Sequence, residues 1–120
     1  MLLEREKVKP DNPDNDGQTT PLWVAAYNGH EGVVKILLER KEVNPEKSHK
    51  DGRTPLSGAA YNGHEGVVKM FLERDDVEPD NPDNDNRAPL WGAAWNGHER
   101  VVKILLERDE VNPNKPDNDG

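Results

Sequence analysis

The stretch AAYNGHEGVVK, from Ala25 to Lys35, determines how this chain is organised, because it returns twice further along the sequence. The same letters start again at Ala59, and the variant AAWNGHERVVK starts at Ala93, so both steps are 34 residues long. Residues 21–45 and 89–113 are identical at 21 of 25 aligned positions. Such agreement at a fixed period is the signature of a repeat array.

The 34-residue period divides the 120 residues into three complete units and two partial ends, which we interpret as one domain. Repeat 1 covers residues 11–45, repeat 2 covers residues 46–79 and repeat 3 covers residues 80–113. Residues 1–10 match the end of a unit, and residues 114–120 match the start of the next loop.

Each unit predicts two short helices followed by a loop. In repeat 2, Thr54 stands where a helix N-cap is expected, Pro55 takes the first helical position and Gly63 follows the last one. A second helix, EGVVKMFLER, has its apolar residues at helical spacing, and the following VEPDNPDNDN is too rich in Pro, Asn and Asp for regular structure. Two short helices cannot bury their apolar stripe alone. The units must therefore stack, which predicts an all-α helix-turn-helix solenoid.

Composition and charge narrow the classes of function. Lys and Arg total 16 against 24 Asp and Glu, and the net charge of −8 disfavours binding to nucleic acid or to anionic lipid. The absence of cysteine excludes disulfides and Cys-based metal sites. No run approaches the ~20 apolar residues that span a bilayer. The first ten residues lack the long apolar run of a signal peptide and carry charges early. We therefore expect a cytoplasmic protein that binds neither nucleic acid nor membrane.

The stretch DGRTPLSGAAYNGHEGVVKMFLER, from Asp51 to Arg74, resembles the ankyrin repeat, whose pattern is roughly D-x-x-G-x-T-P-L-H-x-A-A-x-x-G-H-x-x-V-V-x-L-L-L. All three units fit this pattern, and the two ends fit as partial units. Near-identical units of this kind also resemble the C-terminal arrays of some fungal NLR-like proteins. The resemblance implies a helical stack with β-hairpin or extended loops at right angles to it. It also implies a non-catalytic module that binds other proteins.

Several positions depart from the family pattern. Trp23, Ser57 and Trp91 stand where the family usually has histidine. Ala88 replaces the cap threonine of the first helix of repeat 3, which should cost about 1 kcal/mol of helix stability. Asn86 replaces a glycine, and Asn is the next most tolerant residue at a positive φ.

The acidic loop DNPDNDG, from Asp11 to Gly17, raises the alternative of a calcium site. Its spacing satisfies the opening of an EF-hand loop, but the closing position, counted from Asn12, is Trp23 where that motif requires Glu. The equivalent loop of repeat 2, PEKSHKDG, has cations where ligands belong. We therefore predict acidic turns without a metal or cofactor, and a weakly cation-stabilised structural module stays as an alternative.

Three histidines, His30, His64 and His98, recur at the same position of the three units. Equivalent atoms of stacked helices lie ~8–10 Å apart, whereas metal ligands lie ~2 Å from one shared ion, so we expect no joint metal site. We predict instead that each histidine helps to cap the second helix of its unit. The sequence also shows no Ser–His–Asp arrangement, P-loop or dinucleotide-binding glycine motif, and we expect no enzyme.

An aromatic residue recurs on the first helix of each unit, at Tyr27, Tyr61 and Trp95. These are variable positions of the family, and a row of aromatic side chains is typical of a hot-spot strip for a protein partner. Packing between repeats is the equally weighted alternative. Trp23 and Trp91 lie four residues earlier on the same helical face, and we assign them to packing.

The family's contact positions supply the polar half of the expected surface. They fall on the loop tips and on the tips of the first helices, at Asn15, Asp16, Gln18, Lys50, Asp51, Arg53, Asn84, Asp85, Arg87, Asn28, Asn62 and Asn96. We therefore predict a protein partner across the tips and the concave face, with a basic or mixed charge favoured over an acidic one. A scaffold fragment without a dedicated partner, natural or synthetic, is the alternative.

The two ends of the array predict a further property. The sequence shows no polar capping repeat, so apolar residues near the ends are expected to be exposed. They are Leu2, Leu3, Val101, Ile104 and Leu105. We expect weak self-association through these uncapped ends.

Overall fold

A computed structural model of the chain describes residues 19–119, which contain six α-helices and no strand. The helices are α1 (Pro21–Tyr27), α2 (Glu31–Leu38), α3 (Pro55–Tyr61), α4 (Glu65–Leu72), α5 (Pro89–Trp95) and α6 (Glu99–Leu106). The predicted all-α solenoid of helix pairs is confirmed. The first acidic loop and five residues singled out above, Leu2, Leu3, Asn15, Asp16 and Gln18, lie outside the described residues.

The short helices α1, α3 and α5 form the inner layer, and their ends follow from local chemistry. The hydroxyls of Thr20 and Thr54 accept from the backbone N–H groups three residues later, both at 3.1 Å, and the following proline loses no bond at the first helical position. Ala88 has no such oxygen, so α5 begins without a side-chain cap. Each inner helix stops before a glycine, such as Gly63 with φ of 76°, a conformation that favours glycine.

The outer helices α2, α4 and α6 turn one apolar stripe towards the inner layer. Val34, Val68, Phe71, Val101 and Leu105 are buried in this core. Val67 and Val101 are fully buried in repeats 2 and 3, whereas the equivalent Val33 is exposed, so this position faces the preceding repeat. The expectation that Val101 and Leu105 are exposed at the end of the array is therefore wrong, because both face into the stack.

The asparagine and the histidine that recur in each repeat link one repeat to the next. The backbone carbonyl of Tyr27 accepts from Asn62 Nδ2 at 2.8 Å and from His64 Nε2 at 2.9 Å. The carbonyl of Tyr61 accepts from Asn96 Nδ2 and His98 Nε2, both at 2.9 Å. Each histidine lies at an N-cap position, but its ring makes no cap hydrogen bond. The histidines therefore lie at the predicted cap positions, but the rings of His64 and His98 bond a carbonyl of the preceding repeat and do not cap the helix.

A second set of links joins the outer layer. Arg74 donates to the carbonyl of Leu38 at 3.0 Å, and Arg108 donates to the carbonyl of Leu72 at 2.6 Å. The two carbonyls end α2 and α4. As terminal carbonyls they have no backbone N–H of the same helix to accept from. The arginines of repeats 2 and 3 thus satisfy the helix end of the repeat before them.

The loops between repeats form tight turns that also stack on one another. In the turn from His49 to Arg53, the N–H of His49 donates to the carbonyl of Arg53 at 2.9 Å, and the turn from Asp83 to Arg87 closes in the same way at 3.0 Å. Asn86 has φ of 64°, as its replacement of a glycine predicted. The turns have the hydrogen bonding of a hairpin, although the described residues form no strand.

Candidate partner-binding surface

The inner helices bring the aromatic row together on one surface. Trp23 and Tyr27 stack with ring centroids 4.9 Å apart and planes at 15°, and Trp91 and Trp95 stack at 5.2 Å and 8°. Each pair lies four residues apart on one helix, as the spacing predicted. The inner helices contact one another more extensively than the outer helices do, and Tyr27, Tyr61 and Trp95 lie at equivalent positions of these helices.

The three members of the aromatic row differ in what they contact. Tyr27 is half-buried over Gly58, where an added Cβ would lie 3.4 Å from its ring, and Tyr61 is half-buried over Gly92, where the distance would be 3.1 Å. Trp95, on the last inner helix that the structure describes, is 70% exposed. Tyr27 and Tyr61 therefore both pack between repeats and keep an open edge, whereas Trp95 is open.

The indole of Trp23 is part of the core, as we assigned it. It is 8% exposed, its Nε1 donates to the carbonyl of Arg53 at 2.9 Å, and the ring of His49 lies 4.9 Å from it. Trp91, at the equivalent position of repeat 3, is only partly buried. The difference arises because Trp23 has a following repeat to cover it.

Two arginines of the turns lie over aromatic rings of the inner helices. The guanidinium of Arg53 is 5.2 Å from the ring of Tyr61, and that of Arg87 is 4.1 Å from the ring of Trp91, distances at which cation–π attraction acts. Arg53 is also 3.4 Å from Asp51. These contacts hold flat, amphipathic groups in fixed positions at the base of the turns.

Arg87 is held in addition by two aspartates. Its Nε lies 3.2 Å from Asp117, and its Nη1 lies 3.7 Å from Asp85. Asp117 occupies the equivalent of Asp83 one period later, a position that the sequence analysis did not single out. The 34-residue period, extended past repeat 3, was the signal that could have found it.

A shallow cleft separates the two arginine–aromatic pairs. It is lined by Arg53, Ser57, Tyr61, Arg87 and Trp91, and its volume is about 30 Å³. Pockets for small molecules usually have volumes of ~300–1,000 Å³. The cleft is far smaller than a ligand pocket and has room for little more than a water molecule.

The predicted asparagines have structural hydrogen bonds. Asn62 and Asn96 use their Nδ2 groups in the inter-repeat bonds described above, and Asn28 donates to the carbonyl of Val24 at 2.9 Å within α1. Asn84 donates from Nδ2 to Lys50 at 3.2 Å and from its backbone to Asp51 at 3.0 Å. Their role as contact residues stays a prediction, and only their remaining polar atoms are open to a partner.

The remaining predicted residues gather at the turn tips. Lys50 and Asp85 are exposed there, and Asp51 is partly exposed beside them. Asn118, in the third turn, donates its N–H to the carbonyl of Asp85 at 2.9 Å and so continues the stacking of the turns. The turns are linked to the aromatic residues of repeats 2 and 3 by the contacts of Arg53 with Tyr61 and of Arg87 with Trp91.

The acidic turns use their carboxylates internally. Asp83 Oδ1 accepts from the backbone of Asp85 at 2.8 Å and of Arg87 at 2.9 Å, the geometry of an Asx turn. Within residues 19–119 no group of three or more His, Cys, Asp or Glu residues is placed to hold a metal ion.

Comparison with known families agrees with this architecture. A family model described as "Ankyrin repeats (3 copies)" matches residues 41–117, and a model described as "Ankyrin repeat" matches residues 18–50. No curated protein matched the sequence. Over the part of the chain that the structure covers, no helix is both long enough and apolar enough to cross a bilayer.

Proposed function

The chain belongs to the ankyrin repeat family, and on that basis we propose that it is a non-catalytic module whose protein partner lies across the turns and the concave face. Members of the family are generally non-enzymatic protein-interaction modules. The proposed contact surface consists of the turn tips, the open edges of Tyr27 and Tyr61, and the exposed ring of Trp95.

The observation that carries this proposal is the pair of arginine–aromatic contacts on the inner surface, Arg53 with Tyr61 and Arg87 with Trp91. Arginine and aromatic residues dominate the energetics of protein interfaces when they are held in a fixed geometry. Here the ion pairs with Asp51 and Asp117 provide that geometry before any partner arrives. Preorganisation lowers the entropic cost of association.

The charges of the surface favour a basic or mixed-charge partner. Both inner arginines are already paired with aspartates, so neither offers a free positive charge to an acidic partner. The whole chain has a net charge of −8. A partner with basic side chains near the tips would approach faster and would avoid like-charge contacts.

The test is a selection of displayed protein fragments on the immobilised full-length chain, followed by affinity measurements on surface variants. We expect the selected binders to lose at least about tenfold in affinity, or about 1.4 kcal/mol, when Asp85→Ala and Arg87→Ala are introduced together. The thermal melt of that double variant shows whether its fold is retained.

A matched control lies on the opposite side of the molecule. Lys35, Lys69 and Lys103 are exposed equivalents on the three outer helices, so replacing all three with alanine changes the convex face alone. Binders that lose affinity with the lysine variant and not with the Asp85/Arg87 variant would contradict the proposal. A selection that yields no binder would favour the alternative, a scaffold without a dedicated partner.

A further inference from the structure

The C-terminal end of the stack presents an apolar surface, which we call the end surface. It is an open groove of about 550 Å³ lined chiefly by Leu90, Trp91, Trp95, Val102 and Leu106. Trp95 is 70% exposed and Leu106 is 46% exposed, although the largest side chains of the core are fully buried. An apolar surface of this kind at one end of a stack calls for an occupant.

The same face of repeats 1 and 2 shows what covers it. The residues equivalent to Leu106, Leu38 and Leu72, are partly buried, as are Tyr27 and Tyr61 at the position of Trp95. In both cases the cover is the next repeat in the chain. The end surface therefore has the same composition as the faces of repeats 1 and 2 that the next repeat covers.

Hydrogen-bond acceptors at the end surface repeat the pattern. The carbonyls of Tyr27 and Tyr61 each accept from an asparagine and a histidine of the next repeat, and those of Leu38 and Leu72 each accept from its arginine. Within the described residues, no side chain donates a hydrogen bond to the carbonyl of Trp95 or to that of Leu106. The missing donors are the ones that an ankyrin-type repeat supplies.

A size rule at the junctions narrows the kind of repeat that fits. The fourth residue of α3, Gly58, lies against Tyr27 and Trp23, and the fourth residue of α5, Gly92, lies against Tyr61. In α1, before which the described residues contain no inner helix, the fourth residue is Val24. Glycine thus occurs where an aromatic side chain precedes it, and the larger side chain occurs where none does.

We propose that the end surface docks a further ankyrin-type repeat that has glycine as the fourth residue of its inner helix. The glycine gives the stacked rings of Trp91 and Trp95 the room that Gly58 gives to Trp23 and Tyr27. A second copy of this chain presents Val24 at that position, so its first repeat is a poorer occupant. Residues 1–18 are not part of the proposed surface.

The experiment adds one repeat to the full chain. A copy of residues 53–79 is placed after Gly120, which keeps the 34-residue period because Asp119 and Gly120 match Asp51 and Gly52. If the end surface docks this repeat, helical content rises by one helix pair, Trp fluorescence shifts to the blue, and the Tm rises by several degrees. An extension without gain in helical content or Tm would overturn the proposal.

Two substitutions test the size rule. Replacing the copied Gly58 by valine should remove at least half of the gain in Tm, and Trp95→Ala should make the two extended chains nearly equal. Equal gains with glycine and valine while Trp95 is present would overturn the rule.

Sedimentation of the unextended chain tests whether a second copy of the chain docks on the end surface. Head-to-tail oligomers of the wild type that Val24→Gly leaves unchanged would also overturn it.

Discussion

Ala88 is the residue at which repeat 3 starts its inner helix differently from the other two. Thr20 and Thr54 cap α1 and α3 with their hydroxyls, whereas the N–H of Trp91 bonds only the carbonyl of Ala88 at 2.9 Å. We expect Ala88→Thr to raise the free energy of unfolding by about 0.5–1 kcal/mol, because it restores the missing cap acceptor. Chemical denaturation of the full chain measures this change.

The matched control for that cap is Ala88→Val, which has the same branched shape as threonine without the hydroxyl. Ala88 is buried, so valine reports the cost or gain of bulk at this position. Valine stabilising the chain as much as threonine would show that packing, and not capping, is responsible.

Tyr61 and Trp95 occupy the same position in successive repeats but have different surroundings. Tyr61 is packed over Gly92 and under Arg53, whereas Trp95 is exposed. We expect Tyr61→Ala to cost about 1–2 kcal/mol of stability, from lost apolar burial and cation–π contact, and Trp95→Ala to change stability by less than about 0.5 kcal/mol. Denaturation of the two variants checks this. Similar losses would contradict the difference in packing.

At the scale of the helix pair, the glycine between the two helices serves two purposes that can be separated. Gly63 and Gly97 have φ of 76° and 73°, a region that costs a non-glycine residue about 1–2 kcal/mol. A Cβ on Gly63 would also lie 2.6 Å from His98 Nδ1, whereas a Cβ on Gly97 would meet nothing within 4 Å. Gly97→Ala should therefore lower the free energy of unfolding only by the cost of the backbone conformation. Gly63→Ala should lower it clearly more, because its Cβ also meets His98.

The measurement is the free energy of unfolding of the two alanine variants, with Gly29→Ala as a replicate. A Cβ on Gly29 would lie 2.5 Å from His64 Nδ1, so this variant should behave like Gly63→Ala. Equal costs for all three variants would mean that the histidine rings move aside and do not fix the spacing of the repeats.

The same helices show how far the sequence alone could lead. The period, the N-cap threonines and the glycine after each inner helix predicted every helix pair from residue 19 onward. The partner of each histidine was not predictable within one unit, because its acceptor carbonyl lies 37 residues earlier, in the preceding repeat. The burial of Val101 was missed for the same reason. Which face of a helix meets the neighbouring repeat depends on the stacking geometry and not on the helical period.

For the whole molecule, the acidic turns bear on whether cations stabilise the array. The carboxylates of Asp83 and Asp117 accept hydrogen bonds from backbone N–H groups, and Asp117 also accepts from Arg87. A calcium ion would therefore have to break bonds that close the turns. We expect thermal melts in millimolar calcium and in EDTA to coincide at matched ionic strength. A shift of several degrees in calcium that magnesium does not reproduce would support the cation-stabilised alternative.

The pH dependence of the array should contain a contribution from Glu46, which lies at the start of repeat 2 and bonds the loop at the end of the same repeat. Glu46 accepts from the backbone N–H of Glu78 at 2.7 Å, while its other oxygen is buried without a partner in the described part of the chain. Burial raises the pKa of this carboxyl, and the nearby charges of Glu78 and Asp76 add to the rise. A raised folded-state pKa means that protonated Glu46 favours folding. That stabilisation is present at low pH and is lost as the pH rises through the folded-state pKa.

Glu46→Gln removes the charge and keeps an acceptor, so it should match the wild type near pH 4 and become the more stable protein by pH 7. The gain should stay below about 1 kcal/mol because the group is only half-buried.

Asp76→Asn is the opposite control, because hydrogen bonding to Arg74 lowers the pKa of Asp76. Its stabilisation is present above the ordinary pKa of an aspartate and is lost as the pH falls. Asp76→Asn should therefore fall below the wild type as the pH rises. Denaturation curves between about pH 4 and pH 7 measure the difference for Glu46→Gln, and curves extended to about pH 2 measure the difference for Asp76→Asn, because the pKa of Asp76 lies below that of an ordinary aspartate. Slopes of the same sign for the two variants would show that Glu46 is not an unfavourably buried charge.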